Sequence, residues 1–301
     1  MKHNIVIPSY ELAHNATLIK KFNFFPSLLS TLYLSVIVLY QTAFSYIYIF
    51  QKKDEFFSMI INLTHQTYFI EVIIWVIVWF LLYMLIQPIA EWWMIQLIDS
   101  YSKKESSKYK ISHWVTQWLL HFFPLFEYHN FMWLFRLLSI ITFYFLLLRV
   151  FWEDYAFTIS IIIFFYTIFS VVINLFFAYA KFFIIFEKKH VFEAISLSTR
   201  MSLNNIEVTW KLYYTLFLVY IRVILTVVIF IIFPFIFSTL FAYITTQLFF
   251  LVGIIVLVII FLAFIIFITH LNSVLEIFVE ALWYNAYIDN RRDFDLWDKE
   301  D

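Results

Sequence analysis

The sequence predicts an all-α fold: a polytopic integral membrane protein with about six transmembrane helices and short amphipathic helices at the cytoplasmic membrane interface. Apolar residues make up 64% of the 301 residues and charged residues 14%, against about 45 to 50% and 25% in soluble domains. The mean hydropathy is +0.87. Because several apolar runs reach the roughly 20 residues that a helix needs to cross a bilayer, we expect lipid to surround most of the chain, as one membrane domain over residues 1–301.

The apolar runs divide into six predicted spans. The first begins at Pro26, since the first turn of a helix tolerates proline. The second stays apolar past Pro88, where we expect a kink, because a run of this length exceeds the hydrocarbon thickness. The apolar stretch 212–269 carries Arg222 as its only formal charge and suits two crossings. The spans are predicted at 26–50, 68–90, 131–150, 156–182, 212–241 and 247–269.

Amphipathic helices are predicted between and after the spans, at 111–123, 190–203 and 274–288. In the first, apolar residues recur at helical spacing up to Phe122, and we expect Pro124 to end the helix. In the last, Glu276 and Glu280 lie opposite the apolar residues. Helices of this kind lie in the membrane interface. The polar stretch 180–211, which contains the second of them, is expected to be a hydrated connector.

Lysine and arginine are distributed unevenly among the segments outside the predicted spans. The N-terminus, the linker after the second span, the stretch 180–211 and the C-terminal tail together carry fifteen, whereas the alternate loops carry three. Cytoplasmic loops are enriched in these residues. Both termini are therefore predicted to be cytoplasmic, in a multi-pass protein of the cytoplasmic (inner) membrane.

Composition excludes several classes of function. The net charge of -1 and the lack of a basic block argue against nucleic-acid binding. No cysteine is present, so thiolate metal sites and cysteine nucleophiles are excluded, and the single glycine rules out glycine-rich nucleotide motifs. His121, Glu127 and His129 are candidate metal ligands around Pro124, but nothing in their spacing fixes them on one face, and the alternative is that they are polar anchors at the interface. No enzyme activity, metal or cofactor is predicted.

Eleven tryptophans accompany the single glycine, Gly253. One hypothesis is that the source organism reads UGA codons as glycine and that some of these tryptophans are glycines in the native protein. The alternative is a compositional bias. Mass spectrometry of native peptides across Trp92 and Trp93 distinguishes them, because tryptophan at both positions excludes recoding there.

Charged residues inside spans cost about 2.5 to 3.5 kcal/mol each near the helix centre, so each requires an explanation. Arg136 and Arg222, with Asn174 as a polar neighbour, are candidate contacts for an anionic lipid head group or substrate. The alternative is that each arginine extends to the interface or bonds to backbone carbonyls. Glu71 and Arg149 are expected at matching depth and form a candidate intramembrane ion pair.

A short motif in the stretch 180–211 resembles a known pattern. It comprises Glu193, Ala194, Ser198, Arg200 and Asn205. A similar arrangement occurs in a loose group of uncharacterised six-span bacterial membrane proteins, which includes the membrane domain attached to some glycerophosphodiester phosphodiesterases. The resemblance implies a helical membrane domain and carries over no catalytic residue, since the membrane domain is not the hydrolase part.

Two functions are compatible with these observations. The first is a non-enzymatic membrane module that organises lipid or supports an assembly, with anionic head groups at its cytoplasmic face and a membrane-protein partner or a second copy as further partners. The alternative is a transporter or flippase for an anionic small molecule or lipid, in which the two arginines and Asn174 form the cavity.

Overall fold

The computed structural model describes residues 5–49, 58, 61, 62, 64–103, 111–151, 155–219, 221 and 247–297, and within these residues it contains helices and turns but no strand. The predicted all-α class is confirmed for this part of the chain. The helices are α1 (Val6–Asn15), α2 (Thr17–Ile49), α3 (Phe69–Ser102), α4 (Ile111–Trp133), α5 (Leu137–Phe151), α6 (Ala156–Phe176), α7 (Ala180–Glu187), α8 (Val191–Asn204), α9 (206–219) and α10 (Gln247–Trp297).

Three helical segments of the described chain are long and apolar enough to cross a membrane: Phe69–Ser102, Ala156–Glu187 and Leu262–Arg291. A fourth is obtained if Phe122–Trp133 and Leu137–Leu148, which meet at 48°, count as one bent span. Their outer surfaces are apolar, as Trp75 at 72% exposed and Phe157 at 79% illustrate. The molecule therefore has the surface of a membrane protein. Most of the predicted span 212–241 lies outside the described residues, and the number of six spans stays a prediction.

Three prolines of the described residues lie inside helices and do not end them. Pro26 is inside α2, Pro88 inside α3 and Pro124 inside α4. The expectation that Pro124 ends a helix at residue 123 is wrong, because α4 continues to Trp133. Proline removes one backbone hydrogen bond, and neighbouring helices make this loss tolerable in membrane proteins.

The helix ends differ from the predicted boundaries at two breaks. One is the turn 134–136 between α4 and α5, inside the predicted span 131–150. The other is the turn 177–179 between α6 and α7, inside the predicted span 156–182. Neither break contains proline or glycine, so local sequence signals for a helix end are absent there.

The C-terminal segment forms one helix. The predicted span 247–269 and the predicted interfacial helix 274–288 are continuous in α10, which runs from Gln247 to Trp297. Ile277, Ala281 and Leu282 are fully buried, and α10 packs against α1, α2, α3 and α8. The segment 274–288 is therefore a core helix in this structure, and its periodicity reflects packing against protein.

Buried core residues surround α7, in the stretch that the sequence predicts to be hydrated. Tyr179, Phe182 and Phe183 are 0% exposed, and Tyr287 of α10 stacks on Phe182 with 5.2 Å between the ring centroids. The prediction of a hydrated connector is wrong for α7. It agrees with the turn after α7, where Lys188 is exposed and adopts the left-handed conformation (φ 56°).

Small polar side chains join α2 to α10 in this nearly glycine-free chain. Ser27 and Thr31 of α2 face Thr269 and Asn272 of α10, where the Ser27 hydroxyl donates to the Thr269 carbonyl at 3.4 Å and the Asn272 amide donates to Thr31 Oγ1 at 3.0 Å. Small residues let membrane helices approach closely, and their hydroxyls add hydrogen bonds between helices.

Candidate functional site

A lysine at the start of α7 lies at the centre of the buried core. The Lys181 ammonium donates to Glu91 Oε1 of α3 at 2.8 Å and to both carboxylate oxygens of Glu280 of α10, at 2.5 and 2.7 Å. The exposed fractions of the three side chains are 10%, 13% and 12%. An ammonium has three N–H groups and no acceptor. The ammonium is held between two carboxylates, and one cation joins three helices.

A histidine and an arginine extend this arrangement. Arg136, in the turn between α4 and α5, donates from Nη2 to His129 Nδ1 at 2.8 Å, and His129 Nε2 faces Glu91 Oε2. Since a guanidinium can only donate, Nδ1 must accept and cannot carry a proton. We therefore assign His129 as the neutral tautomer with its proton on Nε2, directed at Glu91.

A third carboxylate lies one helical turn from Glu280. Glu276 Oε2 accepts a hydrogen bond of 2.9 Å from Asn23 Nδ2 of α2, and the same amide reaches the Ser273 carbonyl at 3.3 Å. Among the described residues, no cationic side chain lies within ion-pairing distance of Glu276. The charge cluster, as we define it, comprises Glu91, His129, Arg136, Lys181, Glu276 and Glu280.

Polar side chains satisfy the backbone at the first helix break. The Phe135 carbonyl, in the turn 134–136, accepts from Ser170 Oγ at 2.5 Å and from Asn174 Nδ2 at 2.9 Å. Tyr166, on the same helix α6, donates to the Leu134 carbonyl at 3.0 Å. Carbonyls released by a break in lipid need such partners. The break is therefore held by donors from the neighbouring helix.

The second break, at 177–179, has the same arrangement. Ser198 Oγ of α8 donates to the Phe176 carbonyl at 2.7 Å and accepts from the Tyr179 amide at 3.1 Å. Ser202, one turn later, reaches the Phe176 carbonyl at 3.2 Å. Tyr128 of α4 donates to the Phe177 carbonyl at 3.0 Å. These contacts connect the serine of the predicted family-like motif to the position of the break.

The predicted anion contacts Arg136 and Asn174 have different roles in the structure. Arg136 is part of the charge cluster, where it donates to His129. Asn174 donates to the Phe135 and Ser170 carbonyls at 2.9 and 2.8 Å, so its amide is used in holding the first break. Arg222 lies outside the described residues. Asn174 was expected as the polar neighbour of Arg136, and the structure gives Arg136 a hydrogen bond to His129.

The predicted pair of Glu71 and Arg149 stays a prediction. Glu71 is exposed in the first turn of α3, and the side chain of Arg149 lies outside the described residues.

The remaining residues of the family-like motif have different environments. Ala194 is buried, and the Asn205 amide ends α8 by donating to the Met201 carbonyl. Arg200 is exposed. Glu193 accepts from Lys189 at 2.5 Å and raises the pKa of this lysine, but the pair faces solvent and contributes little to stability.

Sequence reasoning missed five members of the charge cluster: Glu91, His129, Lys181, Glu276 and Glu280. It placed Glu276 and Glu280 on the polar face of the last amphipathic helix, and it considered His129 only as a metal ligand with His121 and Glu127. A signal was present, since Glu91 and Lys181 are single charges within apolar runs, where a charge needs a partner. The choice of partners requires the tertiary structure.

No metal site is formed by the part of the chain that the structure describes, where no three His, Asp or Glu side chains are grouped to hold an ion. In the charge cluster, the Lys181 ammonium occupies the position between the two carboxylates that a cation would take.

Comparison with known proteins adds no relative to this description. No protein-family model, no curated protein and no solved structure matches the chain.

Proposed function

We propose that the protein is a non-enzymatic module of the bacterial cytoplasmic membrane, which organises lipid or supports a membrane assembly. In this proposal it has six spans, and both termini and the connectors 103–110 and 188–211 face the cytoplasm. The observation that carries it is the pairing of Lys181 with two carboxylates, those of Glu91 and Glu280. A cation that binds a substrate anion needs charge to offer, whereas two carboxylates already compensate this one and hold three helices together.

The helix breaks support the same proposal. Their carbonyls accept hydrogen bonds from Ser170, Asn174, Ser198 and Tyr128. Unwound carbonyls that coordinate a transported ion are open toward a cavity. Here protein donors occupy them, as expected of a rigid scaffold.

The cytoplasmic face offers a surface for anionic lipid. Lys188, Arg200 and Lys211 are exposed along α8, its flanking turn and α9. A basic residue close to an anionic leaflet contributes about 1 kcal/mol to membrane attraction. The proposed partners are therefore anionic head groups at this face, together with a membrane-protein partner or a second copy.

The second candidate is a transporter or flippase for an anionic substrate. It is favoured by the position of the two helix breaks beside buried charges, an arrangement typical of transporter sites. Arg136 also has donors beyond the one given to His129. In this candidate Arg136 and Arg222 attract the anion.

Reconstitution into liposomes tests both candidates. Scrambling of a fluorescent phosphatidylglycerol analogue is measured for the wild type, for Arg136→Leu with Arg222→Leu, and for the exposed control Glu207→Gln. If the protein is a scaffold, all three samples are expected to scramble the lipid analogue only at the rate of protein-free vesicles. If the wild type and Glu207→Gln scramble the lipid rapidly and the arginine variant does not, the result contradicts the scaffold and supports the flippase. Native mass spectrometry from nanodiscs then tests for retained phosphatidylglycerol, a partner chain or a second copy.

A further inference from the structure

The charge cluster contains one carboxylate more than its permanent cations. Its carboxylates are Glu91, Glu276 and Glu280, and its permanent cations are Arg136 and Lys181. With a neutral His129 the sum is three negative against two positive charges. An uncompensated charge buried away from water is costly, and such a site takes up a proton instead. One additional proton makes the cluster neutral.

The imidazole is not available for this proton. Arg136 donates to His129 Nδ1 at 2.8 Å, so a second proton on the ring would have to displace the guanidinium. The position of Arg136 in the turn that Ser170 and Asn174 hold makes such a displacement unfavourable. The proton must therefore reside on a carboxylate.

Among the three carboxylates, Glu276 is the one that pairs with no cation of the described residues. Glu91 and Glu280 each accept from the Lys181 ammonium. The neighbours of Glu276 are the neutral Asn23 and Ser27 of α2, Tyr83 and Glu91 of α3, and Glu280 on its own helix. These neighbours include two further carboxylates, which oppose a negative charge on Glu276.

The surroundings of Glu276 also suit the O–H group of a protonated carboxyl, because an unused hydroxyl lies nearby. Ser273, one turn before Glu276, is 1% exposed, and its hydroxyl makes no hydrogen bond within the described part of the chain. The Asn23 amide bridges the Ser273 carbonyl and Glu276 Oε2, which places both residues at the same contact between α2 and α10.

From this geometry we infer that Glu276 is a proton-binding site, which holds one exchangeable proton at neutral pH and keeps α2 packed against α10. This function is independent of whether the protein acts as a scaffold or moves an anion. Loss of the proton leaves Glu276 negative beside Glu280 and Glu91, and the packing of α2 against α10 weakens. Because the folded state holds a proton that an exposed glutamate lacks near pH 7, stability decreases as the pH rises.

Infrared spectroscopy of the full-length protein in nanodiscs tests the inference. Near pH 7, where a glutamate in water is ionised, the wild type is expected to show the carbonyl stretch of a protonated carboxylic acid, shifted in D2O. The band is expected to be absent in Glu276→Gln and retained in the exposed control Glu207→Gln. Absence of the band in the wild type overturns the inference without any variant. A band that Glu276→Gln keeps, or that only Glu280→Gln removes, overturns it as well.

Thermal unfolding gives a second readout. Glutamine resembles a protonated glutamate but cannot ionise in the unfolded state, so Glu276→Gln is expected to unfold above the wild-type temperature near pH 7 and to lose the decrease in stability as the pH rises. A Glu276→Gln protein that keeps the wild-type pH dependence contradicts the proposed site.

Discussion

Lys181 of α7 donates to Glu91 of α3, 90 residues earlier in the chain, across 2.8 Å. With the bidentate contact to Glu280, 99 residues later, this hydrogen bond joins three helices through one ammonium. Breaking a buried ion pair by removing one partner is more harmful than replacing all its members, because the remaining charge is left without compensation.

We therefore expect Lys181→Met to destabilise the protein by about 3 to 5 kcal/mol. The substitution leaves Glu91 and Glu280 facing each other without their cation. The measurement is reversible unfolding in mixed micelles, followed by tryptophan fluorescence. Lys211→Met, at an exposed pair with Glu207, is the control and is expected to behave like the wild type.

The triple variant Lys181→Met with Glu91→Gln and Glu280→Gln is expected to recover part of the loss, since it removes all three charges. If Lys181→Met alone is as stable as the control Lys211→Met, the result contradicts the structural role of the charge cluster.

Ser198→Ala is expected to cost about 1 to 3 kcal/mol, because the Phe176 carbonyl and the Tyr179 amide lose a buried partner. Ser196, on the same helix but exposed, provides the matched control Ser196→Ala. Both variants are compared by unfolding under the same conditions. Equal stability of the two variants contradicts the assignment of Ser198 to the helix break.

The tautomer of His129 is predicted to depend on Arg136. In the wild type the ring is expected to be protonated on Nε2, because Arg136 donates to Nδ1. Arg136→Leu removes this donor and is expected to shift the ring toward a mixture of tautomers. Nitrogen NMR of histidine-labelled protein measures the change, with His129→Gln to assign the signal. A wild-type ring protonated on Nδ1 contradicts the assignment.

Continuity of α10 is testable because the chain has no native cysteine. Spin labels at Ile259→Cys and Asp289→Cys are separated by 30 residues, which corresponds to about 45 Å in one helix at 1.5 Å per residue. Pulsed electron paramagnetic resonance measures this distance. A separate interfacial helix that turns by a right angle after His270 predicts about 30 Å, and this value contradicts the continuous helix.

The membrane class could be predicted from the sequence, because hydropathy is a local property that tertiary contacts do not change. The run 69–98 has the same apolar character in isolation as in α3. Helix ends were predicted less well. Pro124 is a strong local stop signal, yet α4 continues through it, and the break at 177–179 has no local signal because its partner, Ser198, lies about 20 residues away.

The sequence by itself determined that this is a helical membrane protein and that its single charges within apolar runs need partners. The tertiary structure decided which partners they have. A span that is apolar on every side has no face that the sequence marks as inward, so the meeting of Glu91, His129, Lys181 and Glu280 depends on how α3, α4, α7 and α10 are rotated and packed. The stretch 180–211 illustrates the same limit, since its charges indicated water, whereas Lys181 is buried because two carboxylates from distant helices reach it.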